Sequence, residues 1–570
     1  MRILFLTHSF NSLTQRLFVE LRALGHEVSV EFDISDSVAE EAVALFAPDL
    51  IIAPYLRRAI PATIWTGHVC FIVHPGVIGD RGPSALDWAI MNGKAEWGVT
   101  VLQANDEMDA GDVWASQTFP MRAASKSSLY RNEITEAAVN AVLESVGRYA
   151  AGDTRSFRPL PLRELMARNE APGCLQPLLL QTQRSIDWQR DDMAMVLRKI
   201  HAADGAPGVR DELFGSTCHL HDARPAPACR GQPGTVLGRD ADGGLVRATV
   251  DGAVRIGHVR RPAWTHPFKL PASLAFQEAF ARLPEVDSGW REIRYEECAA
   301  GAVGLLHFEC YNGAMSSAQC VRLLDAYKTA LRRPTRVIVL CGGADFWSNG
   351  LHLNCIEAAD SPADESWRNI EAMNDLVQAI LETDTHLTVA ALQGNAGAGG
   401  VFLALAADEV WARPGVVLNP HYRNMGNLHG SEYWTYTLPR RVGALRAAEL
   451  VRNRLPLGAV QALRDGLLDA CFGTDAAGFL SEVQRRAGRL AEEGFVERLA
   501  AKRVRRQMDE IDRPLAAHRA AELAEMRRNF YGFDPSYHVA RYHFVHKLPL
   551  AWTPRHLARH RSVNLESAGV

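Results

Sequence analysis

Twice along this chain, short apolar runs that stop at proline or glycine alternate with helical stretches, a rhythm that restricts the fold to α/β architectures with buried parallel strands. In the first stretch, residues 3–7, 28–32 and 50–53 read as strands, with helices around 15–24 and 38–46 between them. Val69-Cys-Phe-Ile-Val-His-Pro-Gly76 is a further buried strand, stopped by its proline and glycine. Ligands of open α/β sheets sit in the loops after such strand ends, which makes His74 a candidate site residue. The rhythm returns at residues 303–308 and continues through Cys471. At 570 residues the chain exceeds the roughly 250 to 300 at which a single core stops growing, so it must divide.

The text between the two sections is proline-rich at 158–162 and 171–173. A helix near 191–200 follows, then short strands broken by Gly234, Asp242, Gly243 and Gly252, which suggests a small β-rich, OB-like appendage. A second linker carries Pro262, Pro267 and Pro271. The expected domains are therefore 1–165, 166–270, a linker at 271–295, and 296–570. The last of these ends in a helical tail over 475–531 that Pro514 breaks. A net charge of -4 from 62 basic and 66 acidic residues, with 47% hydrophobic residues, excludes a disordered chain and a polybasic nucleic-acid binder. The first apolar run is too short for a signal peptide, and none approaches the roughly 18 to 20 residues that span a bilayer, so a soluble cytoplasmic protein is expected. The ten cysteines form no CxxC pair. Cys218-His-Leu-His221 alternates like a strand and lacks a nearby fourth ligand, so no metal is expected.

The first constellation is His74-Pro-Gly-Val-Ile-Gly-Asp-Arg-Gly82, a helix over 83–92, Trp97-Gly-Val-Thr-Val101 and Asp106-Glu-Met-Asp-Ala-Gly-Asp112. It resembles the folate-dependent formyltransferases. Their C-terminal domain is matched by Ile186-Asp-Trp188, by residues 198–208 and by Pro233-Gly-Thr-Val236. Formyl transfer needs a group that stabilises an oxyanion and shuttles a proton, and a carboxylate that orients it; His74 and Asp109 suit those roles. Taken alone, His74 would read as a core histidine and Asp109 as a turn residue. The resemblance implies a folate site near Tyr55, Leu56 and Arg57 and the loop of Ile78, Asp80, Arg81 and Gly82. It also shows a departure: the family's catalytic asparagine is Ile72 here. After the first strand, Asn11, Gln15 and Arg16 stand at a helix start where an anion such as a coenzyme A phosphate would bind, although a plain cap at Ser12 explains the pattern as well.

The second constellation resembles the crotonase (enoyl-CoA hydratase/isomerase) superfamily. It comprises Gly342-Gly-Ala-Asp-Phe-Trp-Ser-Asn-Gly-Leu-His-Leu353, Val389-Ala-Ala-Leu-Gln-Gly-Asn-Ala-Gly-Ala-Gly-Gly400 and Ala406-Ala-Asp-Glu-Val-Trp-Ala412. The resemblance implies an oxyanion hole for a thioester, made by the backbone N–H groups of Leu351 and Gly399. The family's two catalytic glutamates are replaced by Phe402 and, nearby, His421, so hydration is not expected. Tyr422 and Glu432 are the candidate acid and base, with His352 and His421 behind them; a packed tyrosine and a helix N-terminal charge are the competing explanations.

The order of the two units resembles the HoxX/HypX family of hydrogenase-maturation factors. That resemblance implies synthesis of carbon monoxide for the iron of nickel–iron hydrogenases, with 10-formyltetrahydrofolate as formyl donor and coenzyme A as carrier. It further implies hydrogenase-maturation proteins as partners, and neither nucleic acid nor membrane. Two alternatives stay open: a formyltransferase for an amine or sugar with a thioester-binding second domain, and a non-catalytic scaffold.

Overall fold

The computed structural model describes residues 1–152 and 158–562. It separates into two compact units, Met1–Trp290 together with the chain end from Pro549, and Arg291–Leu548.

The first unit opens with β1 (Arg2–Thr7), β2 (Glu27–Phe32), β3 (Leu50–Ala53), β4 (Cys70–His74), β5 (Glu96–Gln103) and β6 (Val113–Pro120). They form one sheet in the order β2-β1-β3-β4-β5-β6. The first four strands pair in parallel, while β4 with β5 and β5 with β6 are antiparallel, so the expected parallel sheet carries an antiparallel edge. All of β3 and all but the first residue of β1 are buried, the continuous apolar pattern of strands covered on both faces. Because β1 has β2 on one side and β3 on the other, the loops leaving β1 and β3 meet, and the His8 N–H donates to the Tyr55 carbonyl at 2.7 Å.

The appendage belongs to the same unit. Its strands β7 (Val209–Leu213), β8 (Ser216–Pro225), β9 (Val236–Arg239), β10 (Leu245–Ala248), β11 (Ala253–Arg260) and β12 (Lys269–Pro271) form an antiparallel sheet. Cys218 and His221 lie on β8 as the alternation requires, and His221 stands opposite His258 of β11.

The second unit holds β13 (Ile293–Cys298), β14 (Val303–Phe308), β15 (Val337–Cys341), β16 (Phe346–Ser348), β17 (Leu387–Leu392), β18 (Asn395–Gly397), β19 (Glu409–Ala412), β20 (Val417–Asn419), β21 (Leu457–Gly458) and β22 (Ala470–Cys471). Six of these form a sheet in the order β13-β14-β15-β17-β19-β22, and β16-β18-β20-β21 form a smaller one. The tail folds as helices Ala476–Glu492, Phe495–Asp512, Leu515–Tyr531 and Ser536–His546, with the break at Pro514. No described helix is long and apolar enough to cross a membrane.

The chain end departs from the expected 296–570 domain. After Leu548 it returns to the first sheet, where β2 is an edge strand with unpaired N–H groups. Val30 N–H donates to the Leu557 carbonyl at 3.0 Å and Phe32 N–H to Thr553 Oγ1 at 2.8 Å. Between them the buried Glu31 carboxylate holds the Thr553 hydroxyl, His560 Nε2 at 2.9 Å and Arg561 Nε at 2.6 Å. The segment covers an edge that would otherwise pair with another chain. Burial works against the charge on Glu31, but His560, Thr553 and Arg561 together outweigh it and hold the carboxyl below its usual range. Its contribution to stability is thus present above the ordinary carboxyl pKa and lost as pH falls through the lower folded value. We expect Glu31→Ala to destabilise the first unit by about 2 kcal/mol, because it leaves the buried His560 ring and the Thr553 hydroxyl without their acceptor. Denaturant unfolding at neutral pH checks this, and the difference from wild type should shrink in acid.

Candidate active sites

In the first unit β4 ends at His74, where Pro75 interrupts the strand. The chain then turns so tightly that a Cβ on Gly76 would lie 2.5 Å from His74 Nε2 and 2.7 Å from Asp80 Oδ1, so only glycine fits. Thr100 of β5 fixes the turn by donating its hydroxyl to the Gly76 carbonyl at 2.8 Å. The imidazole is buried between two carboxylates, with Nε2 3.0 Å from Asp80 Oδ1 and Nδ1 3.5 Å from Asp109 Oδ1. Asp109 sits at φ 55° and accepts the Gly82 N–H at 3.1 Å, which ties the two loops together.

Burial by itself favours neutral His74, but the hydrogen bonds and charges of Asp109 and Asp80 prevail and raise its pKa to about 9. Burial likewise opposes the charge on Asp109, and His74 with the Gly82 N–H holds that carboxyl below its usual range. His74 is therefore a cation at neutral pH, a donor for developing negative charge and a proton source.

Asp80 was expected in the folate loop; the structure makes it the second partner of His74. Ile78 packs with Ile72 against Leu102, Val113 and Leu165, so the position of the family's asparagine is apolar wall. Arg81 pairs with Glu107 and donates to the Met108 carbonyl. Tyr55, Leu56 and Arg57 follow β3, where Arg57 donates to the Tyr55 hydroxyl and Tyr55 packs edge-on to His8. Leu56 packs on the apolar cluster of Leu4, Phe46 and Ile51.

Arg16, expected at the anion site of the first helix, already has partners within the unit. That side chain is buried and committed to Glu20 at 2.6 Å and Glu136 at 3.7 Å, so its charge is already balanced. Asn11, rather than Ser12, is the cap of helix Ser12–Ala23, accepting the Thr14 N–H at 3.0 Å, and Gln15 donates to the Phe10 carbonyl at 2.8 Å.

In the second unit the loops after β15 and β17 converge. Gly350, at φ 77°, comes so close that a Cβ there would lie 3.3 Å from the Gly399 nitrogen. Among the described residues no backbone acceptor takes the N–H of Leu351 or of Gly399, leaving two donors for a ligand oxygen. A Cβ on Gly399 would meet Glu432 Oε1 at 2.5 Å, so this carboxyl stands directly against the Gly399 α-carbon. Glu432 is fully buried, and its Oε1 has no hydrogen-bond partner among the described residues. Its Oε2 is bonded by the Tyr422 hydroxyl and accepts the Ser431 N–H at 3.2 Å.

Tyr422 fits because Gly430, at φ 90°, lacks a side chain; a Cβ would come within 2.0 Å of the ring. Phe402 stacks on the other face of Tyr422, with centroids 5.3 Å apart, and completes an apolar wall. Burial pushes the Glu432 carboxyl up to about 8, with Glu522 adding to the rise and Tyr422 and the Ser431 N–H opposing it. Burial and then Glu432 push the Tyr422 hydroxyl well above its ordinary value. His352 instead caps helix Leu353–Glu357, its Nδ1 accepting the Cys355 N–H at 3.2 Å, and His421 is buried nearby.

Two residues around Glu432 escape sequence reasoning. Glu522 is buried on helix Leu515–Tyr531 and accepts the N–H groups of Tyr433 and Thr435, while Asn374 accepts the Glu432 N–H at 2.8 Å. The available signal is that Glu522 interrupts the buried stripe Leu515, His518, Met526 and Phe530.

The His74 arrangement predicts a histidine that titrates near pH 9 by NMR. Asp80→Asn or Asp109→Asn should bring that titration down toward the ordinary value near 6.5. Since the pKa is raised on folding, the stabilisation is complete below the ordinary histidine pKa and disappears as pH rises through 9.

Comparison with known proteins agrees with both geometries. A formyl transferase family model matches residues 10–146, and an enoyl-CoA hydratase/isomerase model matches residues 309–555. Methionyl-tRNA formyltransferase of Ralstonia nicotianae is 27% identical over 239 residues, 40% of this chain and 68% of that protein. The hydrogenase maturation factor HoxX of Bradyrhizobium diazoefficiens is 55% identical over 562 residues, covering 98% of this chain and 97% of the relative. The crystal structure of HypX from Aquifex aeolicus in complex with tetrahydrofolic acid superposes with a TM-score of 0.93 at 47% identity, over 99% of each chain. A formyltransferase unit with a charged histidine and a crotonase-fold unit with a buried glutamate thus stand in one chain, which belongs to the HoxX/HypX family of hydrogenase maturation factors.

Proposed function

We propose that this protein makes carbon monoxide for the iron of nickel–iron hydrogenases, in the cytoplasm and in company with other maturation proteins. In the first site the formyl group of 10-formyltetrahydrofolate passes to the thiol of coenzyme A, giving formyl-coenzyme A and tetrahydrofolate. In the second site formyl-coenzyme A yields carbon monoxide and the free thiol. The observation that carries this reading is Glu432 Oε1, buried against the Gly399 α-carbon with no hydrogen-bond partner among the described residues.

Each residue has a defined task. Protonated His74, held by Asp80 and Asp109, stabilises the oxyanion formed when the thiol attacks and supplies the proton to the departing folate nitrogen. The loop of Ile78, Asp80, Arg81 and Gly82, with Tyr55, Leu56 and Arg57, is the proposed folate side. Ile72 removes an amide donor that attack by a weaker nucleophile would need; a thiolate tolerates the loss. In the second site the Leu351 and Gly399 amides hold the thioester oxygen. Glu432 takes the formyl proton and returns it to the sulfur as the carbon–sulfur bond breaks, so the proton balance closes within one carboxyl. Tyr422 holds Oε2 and leaves Oε1 to act. Phe402 fills the place of the hydratase glutamate and keeps activated water out, which favours release of carbon monoxide over hydrolysis to formate. Joining both units in one chain raises the effective concentration of a fragile thioester at the second site.

Anaerobic incubation with 10-formyltetrahydrofolate, with and without coenzyme A, tests the reading, with carbon monoxide read from the Soret shift of reduced myoglobin. Formation that depends on coenzyme A is expected, with a rate that rises with pH through about 8 as Glu432 ionises. Glu432→Gln should lower the rate by at least about 100-fold. Wild-type output from that variant would overturn the assignment, and formate in place of carbon monoxide would leave only the transferase step.

A further inference from the structure

The turn that presents Glu432 has an unusual backbone. Gly430 sits at φ 90°, and Glu432 and Tyr433 follow at φ 59° and φ 58°, two consecutive non-glycine residues in the left-handed region. Side chains avoid that region, so the surroundings must hold them there. Two distant helices do so. From Pro362–Leu381, Asn374 Oδ1 accepts the Glu432 N–H at 2.8 Å. From Leu515–Tyr531, Glu522 Oε2 accepts the Tyr433 N–H at 2.9 Å, and Oε1 accepts the Thr435 N–H at 2.8 Å and its hydroxyl at 2.6 Å. The Ser431 hydroxyl lies 3.0 Å from Asn374 Oδ1 and 3.3 Å from Glu522 Oε2.

We propose that Glu522 and Asn374 are positioning residues of the second site, which lock the turn at residues 430–433 so that the Glu432 carboxyl stands against Gly399, and that Ser431, bonded to both Glu432 and Glu522, couples the two carboxyls. The proposal rests on the role assigned to Glu432 above. Both oxygens of Glu522 are engaged by backbone N–H donors, so a glutamine there must turn its own NH2 against one of them. Two buried carboxyls in one cluster also resist simultaneous ionisation. Burial pushes the Glu522 carboxyl itself up to about 7, against the pull of its four donors. The titratable groups facing the pair are Tyr422 and Tyr433, Cys320 from helix Ser317–Ala330, and His518, which shares Thr435 with Glu522. Arg519 is directed to Asp375 at 2.7 Å and to Gln378 at 3.0 Å.

The test combines infrared titration of the protonated-carboxyl C=O stretch with turnover of formyl-coenzyme A, both on the full chain. The band lost in Glu432→Gln identifies Glu432. In Glu522→Gln that band should titrate about one pH unit lower, and carbon monoxide formation should fall roughly ten-fold with little change in KM. Glu522→Asp keeps the charge on a shorter arm and should retain the titration midpoint while losing rate. Asn374→Asp keeps the acceptor and adds a charge, so the midpoint should move up; it serves also where Glu522→Gln does not fold. A purely structural role would lower the melting temperature while leaving the midpoint and kcat of the folded protein in place, and that result overturns the proposal. Full activity in Glu432→Gln would instead remove the catalytic reading, while the infrared midpoints still report whether Glu522 opposes ionisation of Glu432.

Discussion

A carboxyl taken out of water must be neutralised, paired or held by donors, and the second unit is organised around that requirement. Glu432 reaches its place because Gly399 has no side chain to collide with it, because Gly430 leaves room for Tyr422, and because two helices hold the intervening turn. One oxygen is satisfied by Tyr422 and the Ser431 N–H, and the other has no partner among the described residues. Such an arrangement is costly for folding alone. The structure accommodates it at Gly399, where the lack of a side chain leaves room for the free oxygen.

The first site solves the opposite electrostatic problem. His74 is as deeply buried, yet two carboxylates bracket it and its charge is retained. One unit thus keeps a buried group charged, as a donor suited to negative charge developing on oxygen. The other keeps a buried acid reluctant to ionise at neutral pH. The same burial produces both results, and the neighbours decide the sign.

The chain end adds a constraint of another kind. An edge strand with unpaired N–H groups invites association, and β2 is protected by a segment more than 500 residues later in the chain, held through Glu31.

Much of this was legible in the sequence, for reasons of local chemistry. Period-two and period-3.6 patterning placed the strands and the tail helices, Pro514 marked their break, and the order of short motifs around His74, Asp109, Gly399 and Leu351 identified both families of fold. What escaped was set by partners distant along the chain. The contact of Asp80 with His74 appeared only when the turn at Gly76 brought the two together. The pairing of Arg16 with the distant Glu136 is likewise absent from local spacing. Glu522 and Asn374 were two polar residues on helices, and Glu31 one residue of a strand. Sequence alone determined which residues have the reach and the functional group for the chemistry, because spacing and side-chain type are local properties. Only the tertiary structure decided which of them are charged, which are already paired and which oxygen is left free, because burial and hydrogen bonding arise when segments hundreds of residues apart are packed together.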